Sequence, residues 1–155
     1  MTAEPSELRA ILAPISGGQI LLPGSVIAEV IELAGARTFE DAPGWLIGEV
    51  DWQDWRVPVV SFAVLGGTAT TEQPGARSRV LVIKSLAESG NCPYIGILIS
   101  GVPRLSVVSA SSLGKPKRAP AHPCVFRRVS IDQQKTLIPD LDILAETVEP
   151  VVREA

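Results

Sequence analysis

Apolar residues recur along this chain in short runs, each closed by Gly, Pro, Asn, Asp or Ser, and no run carries the spacing of a long amphipathic helix. Leu8 to Ile15 predicts a first strand. Ser16-Gly17-Gly18-Gln19 turns it into a partner, Ile20 to Leu22, which stops at Pro23-Gly24. Ser25 can cap one helical turn over Val26-Ile27-Ala28. Glu29 to Leu33 alternates, with Val30 and Glu32 opposite Ile31 and Leu33, as in a strand with two unlike faces. Trp45 to Val50 and Val57 to Leu65 predict a hairpin around Asp51-Trp52-Gln53-Asp54. Val80 to Leu86 reads as a buried-type strand, its apolar residues continuous at the start and not alternating, so both of its faces should be covered. It should pair with Tyr94 to Ile99 through a turn at Ala87 to Asn91. After a break at Gly101-Val102-Pro103, Leu105 to Val108 is a short strand. Val125 to Ile131 and Lys135 to Pro139 form a last hairpin, and Asp140 can cap a short helix from Leu141 to Glu146.

About ten short strands with a turn signal between each predict an all-β protein built from small barrels or a sandwich. Gly66 to Ser78, rich in Gly, Thr, Ala and Pro, reads as a linker between approximate halves 8–65 and 79–148. Each half would supply one barrel of about five strands. Neither is large enough to stand well alone, so a shared core is expected. Residues 1–7 read as a flexible leader and 149–155 as a flexible tail.

Composition narrows the function more than the fold. The chain has 155 residues, 46% of them hydrophobic and 20% charged, with net charge −3. No global positive field draws it to nucleic acid or an anionic membrane. No apolar stretch is long enough to span a bilayer, and the polar, acidic start lacks the pattern of a signal peptide, so membrane insertion is not expected and a cytoplasmic location is. Cys92 and Cys124 are flanked by prolines and read as reduced thiols. With His122 they could be imagined as a thiol–base pair or a metal set, but one histidine is too few and no Cys-x-x-Cys partner exists. Neither a phosphate loop nor a Gly-x-Ser-x-Gly elbow is present. The expectation is no enzyme and no cofactor. Single-stranded nucleic-acid binding by a small barrel is the competing function, resting on Lys115, Lys117, Arg118, Arg127 and Arg128. The negative net charge and the scarcity of tyrosine and phenylalanine weigh against it.

What stands out instead is Ala42 to Phe62, APGWLIGEVDWQDWRVPVVSF, which holds all three tryptophans and no obvious acid–base or metal set. Aromatic area gathered at a turn without chemistry suits protein binding. Trp45 is expected in the core, behind Pro43. Trp52 and Trp55 flank the turn, so one of them should be partly exposed.

Five motifs in order resemble the CheW-like coupling domain of bacterial chemosensory systems. They are Leu22-Pro23-Gly24-Ser25-Val26-Ile27-Ala28-Glu29-Val30; Ala42-Pro43-Gly44-Trp45-Leu46-Ile47-Gly48; Val57-Pro58-Val59-Val60-Ser61-Phe62; Gly96-Ile97-Leu98-Ile99-Ser100-Gly101-Val102; and Leu137-Ile138-Pro139-Asp140-Leu141-Asp142-Ile143-Leu144. Together they cover roughly Leu8 to Val148. The resemblance implies two SH3-like five-stranded barrels sharing a hydrophobic core, with short helical turns and a short C-terminal helix. It implies an adaptor whose partners are a chemoreceptor cytoplasmic tip, the regulatory domain of a CheA-like histidine kinase, and other CheW-like proteins. It places receptor contact at Ile27, Glu29, Val30 and the turn residues Trp52, Gln53 and Asp54. Kinase contact would fall on Val82, Ile97 and Ile99, which by their own pattern read as ordinary core. The chain departs from the family at Asp51-Trp52-Gln53-Asp54, where Asn-Leu-Arg-Gly is usual, and at Ser61 and Ser100, where aspartates are usual. The Trp-rich turn is more similar to the auxiliary ChpC-type proteins of type IV pilus systems.

Overall fold

The computed structural model of the chain describes residues 8–85, 92–109 and 122–154. The leader, the turn at Ala87 to Asn91, and Lys115, Lys117 and Arg118 lie outside the described residues. Ten strands run in chain order: β1 Leu8–Ile15, β2 Gly18–Pro23, β3 Ile27–Glu32, β4 Leu46–Trp52, β5 Trp55–Val60, β6 Arg79–Lys84, β7 Tyr94–Ile99, β8 Arg104–Val108, β9 Val125–Ile131 and β10 Gln134–Pro139. A 3₁₀ turn covers Gly24–Val26, and two helices, α1 Phe62–Leu65 and α2 Leu141–Glu154, follow β5 and β10.

The strands form two five-stranded sheets, ordered β8-β1-β2-β10-β9 and β3-β6-β7-β5-β4. The fold is two SH3-like barrels sharing a core. The strand order divides the chain differently from halves 8–65 and 79–148. The second barrel is contiguous, from β3 to β7, while the first takes β1 and β2 from the start of the chain and β8 to β10 from its end. Position for position, β3-β4-β5-β6-β7 of one barrel match β8-β9-β10-β1-β2 of the other, so the two share one topology with the chain cut at different points. Local turn signals cannot reveal this, because each sheet is completed by a parallel pair, β2 with β10 and β5 with β7, whose partners are distant in sequence.

Those parallel pairs line the common core. Ile20 faces Leu137, and Val60 faces Ile97. All four are fully buried, together with Phe62 and Ala63 of α1 and Leu144, Ala145 and Val148 of α2. Each barrel also has an interior of its own. Ala10, Leu12, Leu21, Val108, Val129 and Ile131 fill the first. Val50, Val57, Val59, Val80, Val82 and Leu98 fill the second. The continuous apolar strand β6 is explained by this layering: Val80 and Val82 point into the barrel, Leu81 and Ile83 into the shared core.

The helices are capped alike. Ser61 Oγ accepts the Val64 amide at 3.2 Å, and Asp140 Oδ1 accepts the Ile143 amide at 3.1 Å. Beyond Glu149 the chain is no frayed tail but the continuation of α2, which passes through Pro150 with Val151 and Val152 packed on the core. Apolar packing outweighs the hydrogen bond that a helical proline forfeits. Residues 66–78, which sequence reads as a linker, are tethered. Glu72 is buried, and its carboxylate accepts Ser61 Oγ at 2.6 Å and the Ser16 amide at 3.1 Å. Thr68 Oγ1 donates to the Ser16 carbonyl at 2.8 Å. Gly17 is required at that contact: its φ is +82°, and a Cβ there would sit 2.3 Å from the Thr68 carbonyl oxygen.

Candidate functional site

The β4–β5 hairpin turns on two residues, Gln53 (φ 46°) and Asp54 (φ 66°), both in the left-handed region. Two such residues give the type I′ geometry that matches strand twist, though glycine or asparagine is the usual occupant. The turn sets Trp52 directly opposite Trp55. Both lie on the face of Val50 and Val57, so the indoles sit over the mouth of the second barrel. Tyr94, at the start of β7, completes the cluster. Its ring meets Trp52 edge-on at 4.8 Å and lies 6.1 Å from Trp55. Trp52 and Tyr94 are half-buried against the barrel interior, whereas Trp55 is 45% exposed.

Strand β3 is the far edge of this sheet, and a side-chain bond joins it to the hairpin: Trp52 Nε1 donates to Glu29 Oε1 at 2.9 Å. A β-bulge between Ile27 and Glu29 makes that possible. Ile27 pairs with Ile83 and packs half-buried on the shared core; Glu29 pairs with Val82 and turns to the Trp52 side. Val30 pairs with Leu81 on the opposite face and is 37% exposed. Of the residues that sequence nominates for receptor contact, Glu29, Trp52, Gln53 and Asp54 therefore form one patch. Ile27 and Val30 lie on the other side of β3.

Val82, Ile97 and Ile99 are fully buried, so the chain as folded presents none of them as a contact. Val82 fills the second barrel and the two isoleucines fill the shared core. Among the described residues, the large exposed apolar side chains of the C-terminal part are instead Val102, Leu105 and Val107, on and beside the edge strand β8, and Phe126 on β9. Arg127 stacks over Phe126 at 4.4 Å, and Arg128 Nη2 donates to the Gly66 carbonyl at 3.0 Å.

Arg37 is a component that sequence reading leaves in an undifferentiated loop. Its backbone pairs with Glu49 in an isolated bridge. Its guanidinium donates to both Asp51 oxygens, at 2.8 and 3.2 Å, and to Glu49 at 3.3 Å. Hydrogen bonding from Arg37 holds the Asp51 carboxyl below the usual carboxylate range, and those carboxylates raise the Arg37 guanidinium in turn. Gly48 permits the approach, since a Cβ there would be 2.4 Å from the Arg37 carbonyl oxygen. The signal available beforehand was this glycine in the strand beside two carboxylates of alternate register.

Both cysteines are buried. Burial, with the Glu149 charge, pushes the Cys92 thiol up to about 11. Burial also raises Cys124 against an opposing hydrogen bond with Thr147. A thiol so placed is a poor nucleophile near neutral pH. Among the described residues no three His, Cys, Asp or Glu side chains could hold a metal ion, and no helix is long and apolar enough to cross a membrane.

Two fused SH3-like barrels with an aromatic hairpin at one mouth define a scaffold class, whose business is presenting surfaces. A family profile described as the CheW-like domain matches residues 9–149, and the chain belongs to that family of non-catalytic chemosensory scaffolds. Among solved structures, the crystal structure of the scaffolding protein TtCheW from Thermoanaerobacter tengcongensis superposes with a TM-score of 0.72. It is 15% identical, with 91% of this chain and 89% of that chain covered, a likeness of fold. Comparison with curated proteins gives no match.

Proposed function

We propose that this chain is a cytoplasmic adaptor of a bacterial chemosensory array, joining a chemoreceptor tip to the regulatory domain of a CheA-like histidine kinase. The observation that carries the reading is the Trp52–Tyr94–Trp55 cluster, anchored by Glu29 at the mouth of the second barrel of a CheW-like domain. Partly wet indoles held by a polar clasp offer large contact area with little side-chain freedom left to lose. The apolar edge strand β8 of the first barrel offers a second, separate surface for the kinase or another CheW-like protein. The substituted turn supports an auxiliary, ChpC-like role in a type IV pilus pathway over the standard flagellar one.

The test is a pull-down of the purified chain with cognate receptor tips and kinase regulatory domains, chosen from its gene neighbourhood. Retention of both, with Trp52→Ala weakening the receptor arm, is the expected outcome. Retention of neither by a correctly folded chain would overturn the adaptor reading. If only a pilus-system pair is retained, the narrower assignment holds; if only a flagellar pair is, it falls.

A further inference from the structure

Charge is unevenly spread along the chain, and the most acidic stretch covers β3 to β5 of the second barrel. Residues 27–60 carry seven carboxylates and two arginines, a net of −5, while the whole chain carries −3, so the remainder carries +2. This acidic stretch contains the aromatic hairpin and the strand clasped to it. Arg37, one of its two cations, is held by Glu49 and Asp51. Arg56 lies beside Asp51 on the opposite face of the hairpin from the indoles. Lys84, the cross-strand neighbour of Tyr94, reaches the Ser25 carbonyl at 3.3 Å. Among the described residues, no cation stacks on Trp52, Tyr94 or Trp55. Glu29 spends one carboxylate oxygen on the Trp52 indole, and no described group bonds the other.

From these features we propose that the mouth of the second barrel receives an arginine side chain of the protein partner, its guanidinium stacked on Trp55 and drawn by the carboxylates of Glu29 and Asp54. The inference rests on the adaptor reading and adds the chemistry of the contact. Indole is the strongest aromatic partner for a cation, and the planar guanidinium can stack and hydrogen-bond a carboxylate at once. The acidic surround steers a basic segment and repels an acidic one. The left-handed turn at Gln53 and Asp54 holds Trp55 in place before the partner arrives, so little ordering remains to be done on binding.

The probe is a set of three synthetic amphipathic helical peptides with identical apolar residues and Arg, Lys or Glu at every polar position, titrated calorimetrically into the full chain. The Arg peptide should bind several-fold tighter than the Lys peptide, and the Glu peptide should not saturate. Trp55→Ala and Glu29→Gln should each weaken Arg-peptide binding about tenfold. Glu29→Gln keeps an amide oxygen for the Trp52 N–H, so it removes charge without opening the clasp, and circular dichroism of both variants should match the parent. Equal binding of the Glu and Arg peptides, or indifference to both substitutions, overturns the proposal. So does self-association that Trp55→Ala abolishes, which would place a second copy on the patch. If receptor and kinase are not retained in the pull-down while the Arg-peptide pattern stands, the adaptor reading falls and the arginine site survives. If both variants retain the partners as the parent does, the adaptor reading survives and this proposal falls.

Discussion

In the second barrel, the edge strand β3 reaches the β4–β5 hairpin through Glu29 and the Trp52 indole. In the first, the equivalent edge strand β8 reaches the β9–β10 hairpin through an ion pair, Arg104 to Asp132 at 2.9 Å. Both clasps close the same seam of the same topology, and both hairpins turn on two non-glycine left-handed residues, Gln53-Asp54 and Asp132-Gln133. The mouths differ. Trp52, Tyr94 and Trp55 cover the second, whereas the first is an open cleft of about 360 Å³ whose lining includes Leu12, Pro14, Gln19, Arg104, Asp132 and Gln134. One architecture has thus been closed twice, once with aromatics that leave a sticky rim and once with exposed charges that leave little. The proposed adaptor contact at the hairpin end falls on the second barrel because of its side chains, since the backbone is common to both.

The comparison breaks first if the barrels are energetically separate. Phe62 is fully buried in the core that both share. Phe62→Ala should cost about 3–5 kcal/mol. Urea unfolding followed by tryptophan emission, which reports the hairpin of the second barrel through Trp52 and Trp55 and the shared core through Trp45, should shift together with far-ultraviolet circular dichroism, which reports both barrels. Divergent midpoints would mean that the barrels melt independently. Glu72 is the next strongest link, joining Ser16 of the first barrel to Ser61 at the end of β5. Glu72→Ala strands a buried hydroxyl and a part-buried amide and should cost on the order of 2 kcal/mol. Adding Ser61→Ala should then cost less than it does in the parent, as a double-mutant cycle would show.

The two clasps should differ in strength. Trp52→Phe removes an exposed N–H bond to a carboxylate together with part of a ring that packs half-buried on the barrel interior, and about 1 kcal/mol is expected. Arg104→Ala removes an ion pair between well-exposed groups and should cost under about 0.5 kcal/mol. Equal losses, measured by chemical denaturation of each variant, would erase the distinction drawn between the mouths.

Hairpins, the Asp140 cap and the two-sided burial of β6 were legible beforehand, because turn chemistry and apolar periodicity act over a few residues. Ser25, by contrast, sits inside the 3₁₀ turn without a side-chain cap bond, and Ser61, read as strand, caps α1 where β5 stops at Val60. The halving of the chain was not, since parallel partners such as Ile20 and Leu137 lie far apart and carry no local mark. Glu72 looked like linker polarity because its acceptors' donors, a serine hydroxyl and a backbone amide, are anonymous in sequence. Residues 149–155 read as a flexible tail, yet α2 runs on through Pro150 with Val151 and Val152 packed on the core. The hairpin patch was half legible. Trp52, Gln53, Asp54 and Glu29 converge, but Val30 alternates to the other face of β3 and the bulge between Ile27 and Glu29 puts Ile27 there as well, and no residue type announces a bulge.

The smallest expected effect concerns the outer face of the second hairpin. Asp51 is exposed, and its carboxyl is held low chiefly by the Arg37 hydrogen bond, with the Arg37 and Arg56 charges helping. A carboxyl whose folded pKa lies below its unfolded one binds protons less readily when folded. Its contribution is therefore present above the unfolded pKa and is lost as pH falls through the folded value. Asp51→Asn should lower the melting temperature slightly at about pH 6, and the gap from the parent should close toward pH 3 as the parent's own carboxyl takes up its proton. Salt should narrow the gap as well, because the pair is open to solvent. A gap that persists at acid pH would show that Asp51 acts through strand geometry and not through its charge.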